Sequence, residues 1–358
     1  MEAKGKQKTV LFIFDGGVGD AVFSTAAVRR AQYHQPDTNF QVGAWTGEQE
    51  EIFRSSGLPV TRLPHLGLFH NRMKQVGEWP AFFKCLVELS VLLHTYDQVI
   101  CPVGVGSLYH LSRAFKAFIP GDRERFLPMP HPREVIVPDK YMGFVLQDRL
   151  DALLGVNSLP YFPPELEFSS EHSETADRMW VETGVDPQRS VVCNFKTSHP
   201  TKDLTPFQVE FIVKFIQRHK LLPVIVNYSP ADQRLLKEKF SGHGLAFAAN
   251  DSVLVMGEFL RVARAHVTAD TGLAHIAGVV GVPTLTVFGP TGRENWVCPF
   301  HKNIISIQAE THCETLACRV GQVCNYPEVY CMSHIDMDEF AEKLHQLFTS
   351  SEQTGRGR

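Results

Sequence analysis

The sequence lacks any long uninterrupted hydrophobic run. The longest apolar region, Ala81 to Leu93, is broken by Lys84 and Glu88 and is shorter than the roughly 20 residues that a bilayer-spanning helix needs. The apolar run near the amino terminus, Val10 to Phe14, is far too short for the core of a signal peptide. These absences predict a cytoplasmic protein, in which the eight cysteines are thiols or metal ligands rather than disulfides.

A strong excess of charge of one sign is also missing. The chain has 35 Lys and Arg against 39 Asp and Glu, a formal net charge of −4. Because binding to nucleic acid depends on a concentrated positive field, the sequence predicts no nucleic-acid partner. No repeat at the periods of solenoid proteins is present, and 358 residues are enough for two ordinary globular domains.

Short apolar segments alternate with helical patterns along both halves of the chain, which predicts an α/β fold with parallel sheets. A proline-rich region covers 119–170, and we place a linker near Pro163 to Glu171, so the predicted domains are 1–168 and 169–358. Residues from Thr349 onward are expected to be disordered.

The predicted strands are Thr9–Phe14, Phe40–Trp45, Val60–Leu63, Gln98–Cys101, Val191–Phe195, Val224–Asn227, His266–Ala269 and Thr284–Phe288. The predicted helices are Ala21–Tyr33, Glu48–Ser55, Trp79–His94, a helix ending at Phe118, Tyr141–Leu154, Thr175–Thr183, Thr205–Arg218, Ala231–Phe240, Val253–Arg264 and Met337–Leu347.

The most informative stretch is 263–296, with the sequence ARAHVTADTGLAHIAGVVGVPTLTVFGPTGRENW. It predicts a strand, a helix that Asp270 caps and Gly281 ends, and a second strand. Gly272 in the first helical turn lowers helix stability, which suggests a ligand close to the backbone. His275 lies four residues after Thr271 and faces the same side. Two interpretations remain open, an anion site at the helix entrance or a capped helix with a half-buried histidine.

A glycine-rich loop, FDGGVGD, connects the first strand to its helix. It is not a dinucleotide-binding fingerprint, because Val22 stands where the third glycine belongs. Asp20 at the end of this loop is either a helix cap or a carboxylate placed for chemistry. The other loop residues that we single out are Asp15, Gly16, Gly17 and Gly19.

The motifs D-T-G-L-A-H-I-A and G-V-P-T-L-T-V-F-G-P-T, followed by Trp296, resemble the carboxyl-terminal signature of the ADP-heptose:lipopolysaccharide heptosyltransferases of glycosyltransferase family nine. The resemblance implies the GT-B fold, with two facing Rossmann-like domains, the first for the acceptor and the second for the nucleotide sugar. It implies an inverting, metal-independent transfer of heptose from ADP-heptose to a saccharide, such as the lipopolysaccharide inner core. At most peripheral contact with the inner membrane is implied. The alternatives are another nucleotide sugar, a protein acceptor, or a catalytically silent nucleotide-binding protein.

The resemblance also implies roles for individual residues. Asp20 would be the general base, and Lys202 would neutralise the donor diphosphate, with Lys196 as the rival assignment. Asp232 would bind the ribose, although the family's glycine-rich form is missing there. The basic residue that the family carries before the first loop is replaced by Phe14-Asp15, which puts the acceptor's identity in doubt. The remaining residues assigned to the donor are Thr197, Ser198, Asp270, Thr271, Gly272, His275, Gly289, Pro290 and Thr291.

Half of the cysteines fall near the carboxyl terminus in the pattern C-x4-C-x5-C-x6-C, formed by Cys313, Cys318, Cys324 and Cys331. Four thiolates could hold Zn²⁺ or iron tetrahedrally, although the spacing is not that of a standard zinc finger. The alternative is a set of buried free thiols. Any metal here would be structural, and the reaction is predicted to need no catalytic metal.

Overall fold

The computed structural model describes residues 7–14, 16–65, 79–103, 126–127, 137, 139–156, 160–240, 244–310, 324 and 328–354. The chain folds into two compact units, Met1–Glu167 and Phe168–Arg358. Each unit contains its own parallel sheet and its own hydrophobic core. None of the helices within the described ranges is long and apolar enough to cross a bilayer.

The sheet of the first unit has the strand order β3-β2-β1-β4-β5, and all of its pairings are parallel. Strands β2 and β3 are added on one side of β1, and β4 and β5 are added on its other side, so the strand order reverses at β1. Open α/β sheets bind ligands at the carboxyl ends of the strands beside such a reversal. The strands are β1 (Thr9–Phe14), β2 (Asn39–Ala44), β3 (Val60–Arg62), β4 (Gln98–Val103) and β5 (Phe126–Leu127). The helices are α1 (Val18–His34), α2 (Gly47–Ser55), α3 (Trp79–Thr95) and α4 (Met142–Leu154).

The sheet of the second unit has the order β11-β10-β9-β6-β7-β8, again with every pairing parallel. This is the order of a dinucleotide-type Rossmann sheet, with its reversal between β6 and β9. The strands are β6 (Ser190–Asn194), β7 (Leu222–Val226), β8 (Ala246–Ala248), β9 (Ala265–Ala269), β10 (Thr284–Phe288) and β11 (Ile304–Gln308). The helices are α5 (Ser170–Thr183), α6 (Pro206–Arg218), α7 (Pro230–Lys239), α8 (Val253–Arg261), α9 (Gly272–Val280), α10 (Arg293–Trp296), α11 (Tyr330–Ser333) and α12 (Met337–Thr354). The predicted α/β class with parallel sheets is therefore confirmed.

Several predicted boundaries and elements differ from the structure. Helix α5 begins at Ser170, five residues early, because Ser169 caps it by accepting the His172 N–H. Strands β5, β8 and β11 were not predicted. The expected disorder from Thr349 is wrong as far as Thr354, because α12 continues to that residue. The predicted helix ending at Phe118 lies outside the described residues.

The two faces of the second sheet differ in chemistry. One face contributes apolar side chains to the main core, together with α6 and α12; these are Val191, Cys193, Val267, Ala269, Leu285 and Val287. Side chains alternate along a strand, so the intervening residues lie on the other face. On that face the register places Asn194 beside Thr268 and Thr268 beside Thr286. All three side chains are buried, so the sheet carries a buried polar row at the carboxyl ends of its central strands.

Candidate functional site

The loop between β1 and α1 holds Asp20 in one defined position. The Gly17 N–H donates to Oδ2 of Asp20 over 2.8 Å, so the carboxylate binds the start of the helix. Gly16 has φ +155°, and a Cβ added there would lie 2.3 Å from Cγ of Asp20. The loop thus needs a glycine at 16 so that the Asp20 side chain can fold against it. The capping interaction predicted for Asp20 is present, and its catalytic role stays a prediction.

A residue that the sequence did not single out fixes this loop. Gln49, in the first turn of α2, is buried and donates from Nε2 to the Gly16 carbonyl over 2.9 Å. Its Oε1 accepts the Trp45 N–H over 3.0 Å. The pattern Thr46-x-x-Gln49 signals a helix start, but nothing in it indicates a reach of 33 residues back along the chain. Gly19 lies in the first turn of α1, and Asp15 lies outside the described residues.

In the second unit, a buried carboxylate joins two of the loops predicted to bind the donor. Lys202 Nζ lies 2.9 Å from Oδ2 of Asp270, and the Thr291 hydroxyl donates to the same oxygen over 2.6 Å. The side chains of Lys202 and Asp270 are only 14% and 6% exposed. Lys202 lies in the loop after β6 and Asp270 directly follows β9, so this cluster lies where the strand order reverses. The structure therefore brings these three predicted residues together.

Asp270 does not cap α9, contrary to the prediction. The N-cap is Thr271, and its side chain makes no capping hydrogen bond. The Asp270 carboxylate is instead held by Lys202 and Thr291, an arrangement that depends on residues far away in sequence. Because the Thr271 side chain does not cap the helix, it leaves the backbone N–H groups of the first turn of α9 uncovered, including that of Gly272. An anion site at a helix N-terminus requires N–H groups that no side-chain cap covers.

His275 lies one turn into α9 and is half-buried. Partial burial lowers its pKa from the ordinary value; the Asp270 carboxylate opposes this effect and Lys202 adds to it. His301 packs against the same helix, because a Cβ at Gly278 would lie 2.1 Å from its Nδ1. Burial, with a contribution from His275, lowers the pKa of His301 to about 4. Both imidazoles are therefore neutral at pH 7 and can act as hydrogen-bonding groups.

The other lysine considered, Lys196, has a different partner. Its Nζ lies 2.7 Å from Oδ1 of Asp232 and 5.2 Å from the centroid of the Tyr228 ring. Hydrogen bonds from Lys196 and Ser229 hold the pKa of Asp232 below its ordinary value. Asp232 and Lys196 form an exposed ion pair at the start of α7, whereas Lys202 belongs to the buried Asp270 cluster. The choice of Lys202 over Lys196 for the diphosphate is consistent with this geometry.

The loop after β6 folds on itself near Lys202. The Thr197 N–H donates to Asp203 over 2.7 Å, and the Thr197 hydroxyl donates to the His199 carbonyl over 2.6 Å. Ser198 is exposed at the loop surface. The Thr197 hydroxyl therefore has an internal acceptor, which weakens its assignment to a phosphate relative to that of Lys202.

A side chain of β11 holds the loop Gly289-Pro290-Thr291 in place. Gln308 Nε2 donates to the carbonyls of Gly289 and Thr291 over 3.0 and 2.8 Å. A Cβ at Gly289 would lie 2.4 Å from Sδ of the buried Met332. Gln308 was not predicted, because the strand that carries it was missed. These contacts hold Thr291 where it reaches the Asp270 carboxylate.

Comparisons with known proteins found one matching family model. Residues 224–324 match the family model described as glycosyltransferase family 9 (heptosyltransferase). The chain carries a glycosyltransferase family 9 domain. This confirms the resemblance predicted from the sequence, and the family-9 domain together with the fold indicates a glycosyltransferase. No curated protein sequence matches the chain significantly.

Solved structures support the fold over the whole length of the chain. A glycosyl transferase family 9 structure from Veillonella parvula has 13% identity and a TM-score of 0.71, covering 98% of this chain and 99% of that one. The E. coli ADP-heptose lps heptosyltransferase II has 15% identity and a TM-score of 0.62, covering 96% and 99%. The iron-containing dodecameric glycosyltransferase TibC of enterotoxigenic E. coli has 12% identity and a TM-score of 0.57, covering 97% and 78%.

The cysteines that follow the family-9 domain's last strand are only partly described. Cys324 and Cys331 are half-buried, whereas Cys313 and Cys318 lie outside the described residues. Among the described residues, no group of three or more His, Cys, Asp or Glu side chains is placed to hold a metal. The four-cysteine metal site therefore stays a prediction.

If the four cysteines hold a metal, purified protein should contain about one equivalent of zinc or iron, because a structural metal is part of the folded state. Elemental analysis of the purified chain measures this directly. Replacing Cys318 and Cys324 by serine should remove the metal, whereas replacing the buried Cys193 by alanine should not. Metal-free protein with four titratable thiols in this segment would show that they are free cysteines.

One buried and one half-buried histidine in the family-9 domain predict sensitivity to acid. Burial lowers the pKa of His266 to about 3, and that of His301 is about 4, against 6.5 ordinarily. Below pH 6.5 the unfolded chain binds protons that the folded chain does not, so the free energy of unfolding decreases as the pH falls toward 4. At pH 5 the loss is about 2 kcal/mol for each histidine. Urea unfolding at pH 7 and pH 5 measures this loss, and His266→Phe should reduce the dependence on pH.

Proposed function

We propose that this protein transfers a heptose from ADP-heptose to a saccharide acceptor, with the lipopolysaccharide inner core as the expected class of acceptor. One observation carries the proposal, the Lys202–Asp270–Thr291 cluster beside the start of α9, at the reversal of a Rossmann sheet. An ammonium group and a helix N-terminus together favour a diphosphate. A relative of similar fold, the E. coli enzyme above, is named as an ADP-heptose heptosyltransferase.

In the proposed reaction, an acceptor hydroxyl attacks the anomeric carbon of the donor sugar while Asp20 takes its proton. The bond from that carbon to the diphosphate oxygen breaks, and ADP leaves with the bonding electrons. Attack opposite the leaving group inverts the anomeric centre. Negative charge grows on the diphosphate during bond breaking, so Lys202 and the first amides of α9 stabilise the transition state more than the ground state.

The donor assignment is tested by thermal unfolding with ADP, UDP and GDP, each with EDTA present. A ligand that binds only the folded state raises the melting temperature, by about 2–4 °C per kcal/mol for a unit of this size. We expect a rise of several degrees with ADP alone, and we expect EDTA not to abolish it. A larger rise with UDP or GDP would assign another nucleotide sugar. If the protein binds ADP but transfers no sugar to glycan acceptors, the result would support a catalytically silent nucleotide-binding protein.

Gly272→Val should weaken ADP binding more than it destabilises the fold. Gly272 is the first residue of α9, where a branched side chain would occupy the space of a bound phosphate. Calorimetry with ADP and a melting curve measure the two effects separately. Gly47→Val is a matched control, since Gly47 is the first residue of α2 and a Cβ there would meet nothing within 4 Å. Unchanged ADP affinity in Gly272→Val would place the diphosphate elsewhere.

A further inference from the structure

The buried polar row of the second sheet reaches the start of α9 through one side chain, that of Thr271. Asn194 Nδ2 donates to the Thr271 hydroxyl over 3.3 Å. The hydroxyl of Thr268 lies 3.2 Å from the Thr271 hydroxyl and donates to the Ala269 carbonyl over 2.8 Å. Asn194 and Thr268 are 3% and 0% exposed, so water does not compete freely for these bonds. Thr271 is therefore held from the interior of the unit by two polar side chains.

Packing alone does not explain why position 194 carries an amide side chain. Its Oδ1 is buried and has no hydrogen-bond partner among the described residues. A buried acceptor without a partner lowers stability, and an apolar residue would fill a central strand position without that penalty. The amide group is therefore best explained by the bond that its nitrogen does make, to Thr271.

The proton balance at Thr271 shows what that bond does. A hydroxyl has one proton to donate and two lone pairs to accept with. Asn194 Nδ2 occupies one lone pair. When the Thr268 proton turns from the Ala269 carbonyl to Thr271, the second lone pair is occupied as well. With both lone pairs occupied, the Thr271 proton is directed away from Asn194 Nδ2 and the Thr268 hydroxyl, toward the entrance of α9.

We propose that Asn194 and Thr268 are positioning residues that make the Thr271 hydroxyl an outward donor to a phosphate oxygen of the nucleotide. The switch needs only the rotation of two hydroxyl groups and no movement of the backbone. This inference rests on the proposed donor site, because it requires an anion at the start of α9. The inference also explains why the buried face of this sheet carries a polar row. Buried strands of parallel sheets are usually apolar, so their sequence pattern does not predict such a row.

A double-mutant cycle with ADP tests the proposal by calorimetry. Thr271→Val should weaken ADP binding roughly tenfold to a hundredfold, since a hydrogen bond to a charged group is lost. Asn194→Ala should weaken it at least about fivefold, because the hydroxyl is no longer oriented. If Asn194 acts through Thr271, the double variant should bind ADP as Thr271→Val does, with no further loss. Melting curves of each variant report any change in the fold.

Thr286→Val is the matched control. Thr286 is buried in the same polar row, and its hydroxyl has no hydrogen-bond partner among the described residues. Its removal should leave ADP affinity unchanged, and an equal loss in Thr286→Val would mean that the effect is one of packing. Additive losses in the cycle, or full affinity in Asn194→Ala, would overturn the positioning role while the donor site stands. Parent-like binding by Thr271→Val would overturn the positioning role, whereas the contact of the α9 amides with the diphosphate is tested separately by Gly272→Val.

Discussion

Replacing Asp20 by asparagine should reduce the rate of glycosyl transfer at least about a hundredfold, the usual scale for the loss of a general base. The asparagine side chain has nearly the same size, and its oxygen can still accept the Gly17 N–H that the carboxylate now accepts. The loop should therefore keep its conformation, while the group that takes the acceptor's proton is lost. ADP affinity, measured by calorimetry, should be unchanged.

A control for this variant comes from the same unit. Glu48 is an exposed carboxylate in the first turn of α2, so Glu48→Gln removes one negative charge from another helix start. Its transfer rate should equal that of the parent. If Asp20→Asn also turns over at the parental rate, Asp20 is a helix cap and another group accepts the proton.

Lys202→Ala should reduce ADP affinity, and it should reduce the transfer rate on the order of a hundredfold. The reason is that it removes a half-buried positive charge beside the proposed diphosphate. The substitution also leaves the Asp270 carboxylate buried with Thr291 as its remaining side-chain donor. Removing one partner of a fully buried ion pair lowers the free energy of unfolding by about 3–5 kcal/mol. Part of the lost ADP affinity and transfer rate can therefore come from a less stable fold. A melting curve without ligand measures that part.

Two further variants separate charge from packing at this position. Lys202→Arg keeps the positive charge and should retain more ADP affinity than Lys202→Ala. Lys196→Ala removes the rival lysine, which pairs with Asp232 at the surface, and it should change the transfer rate far less. If Lys196→Ala lost as much activity as Lys202→Ala, the assignment of the diphosphate to Lys202 would be wrong.

Local patterns were enough to predict the alternating strands and helices, since periodicity, caps and proline positions act within a few residues. Thr205 and Pro206 begin α6 as expected, and Gly281 ends α9 in the left-handed conformation. Strands β8 and β11 were missed because both lie at edges of the sheet and most of their residues are only partly buried. Their apolar patterns are correspondingly weak.

The candidate site was predictable as a set of residues but not as a set of contacts. Asp270 has the position of a helix cap, and only the fold shows that Lys202, 68 residues earlier, takes its carboxylate instead. Gln49 and Asn194 were missed for the same reason. Each acts on a loop distant in sequence, and no local pattern distinguishes them from ordinary polar residues.

The strand order of the second unit has a consequence for how the chain is completed during synthesis. Strand β6 is made first, but its neighbour β9 follows only at Ala265–Ala269. Until that strand emerges, β6 has one open edge and Lys202 has no Asp270 to pair with. Parallel pairings of this kind close slowly, because a long loop must be ordered first. A nascent chain that ends before β9 would therefore expose an apolar strand edge and depend on chaperones until the remaining strands arrive.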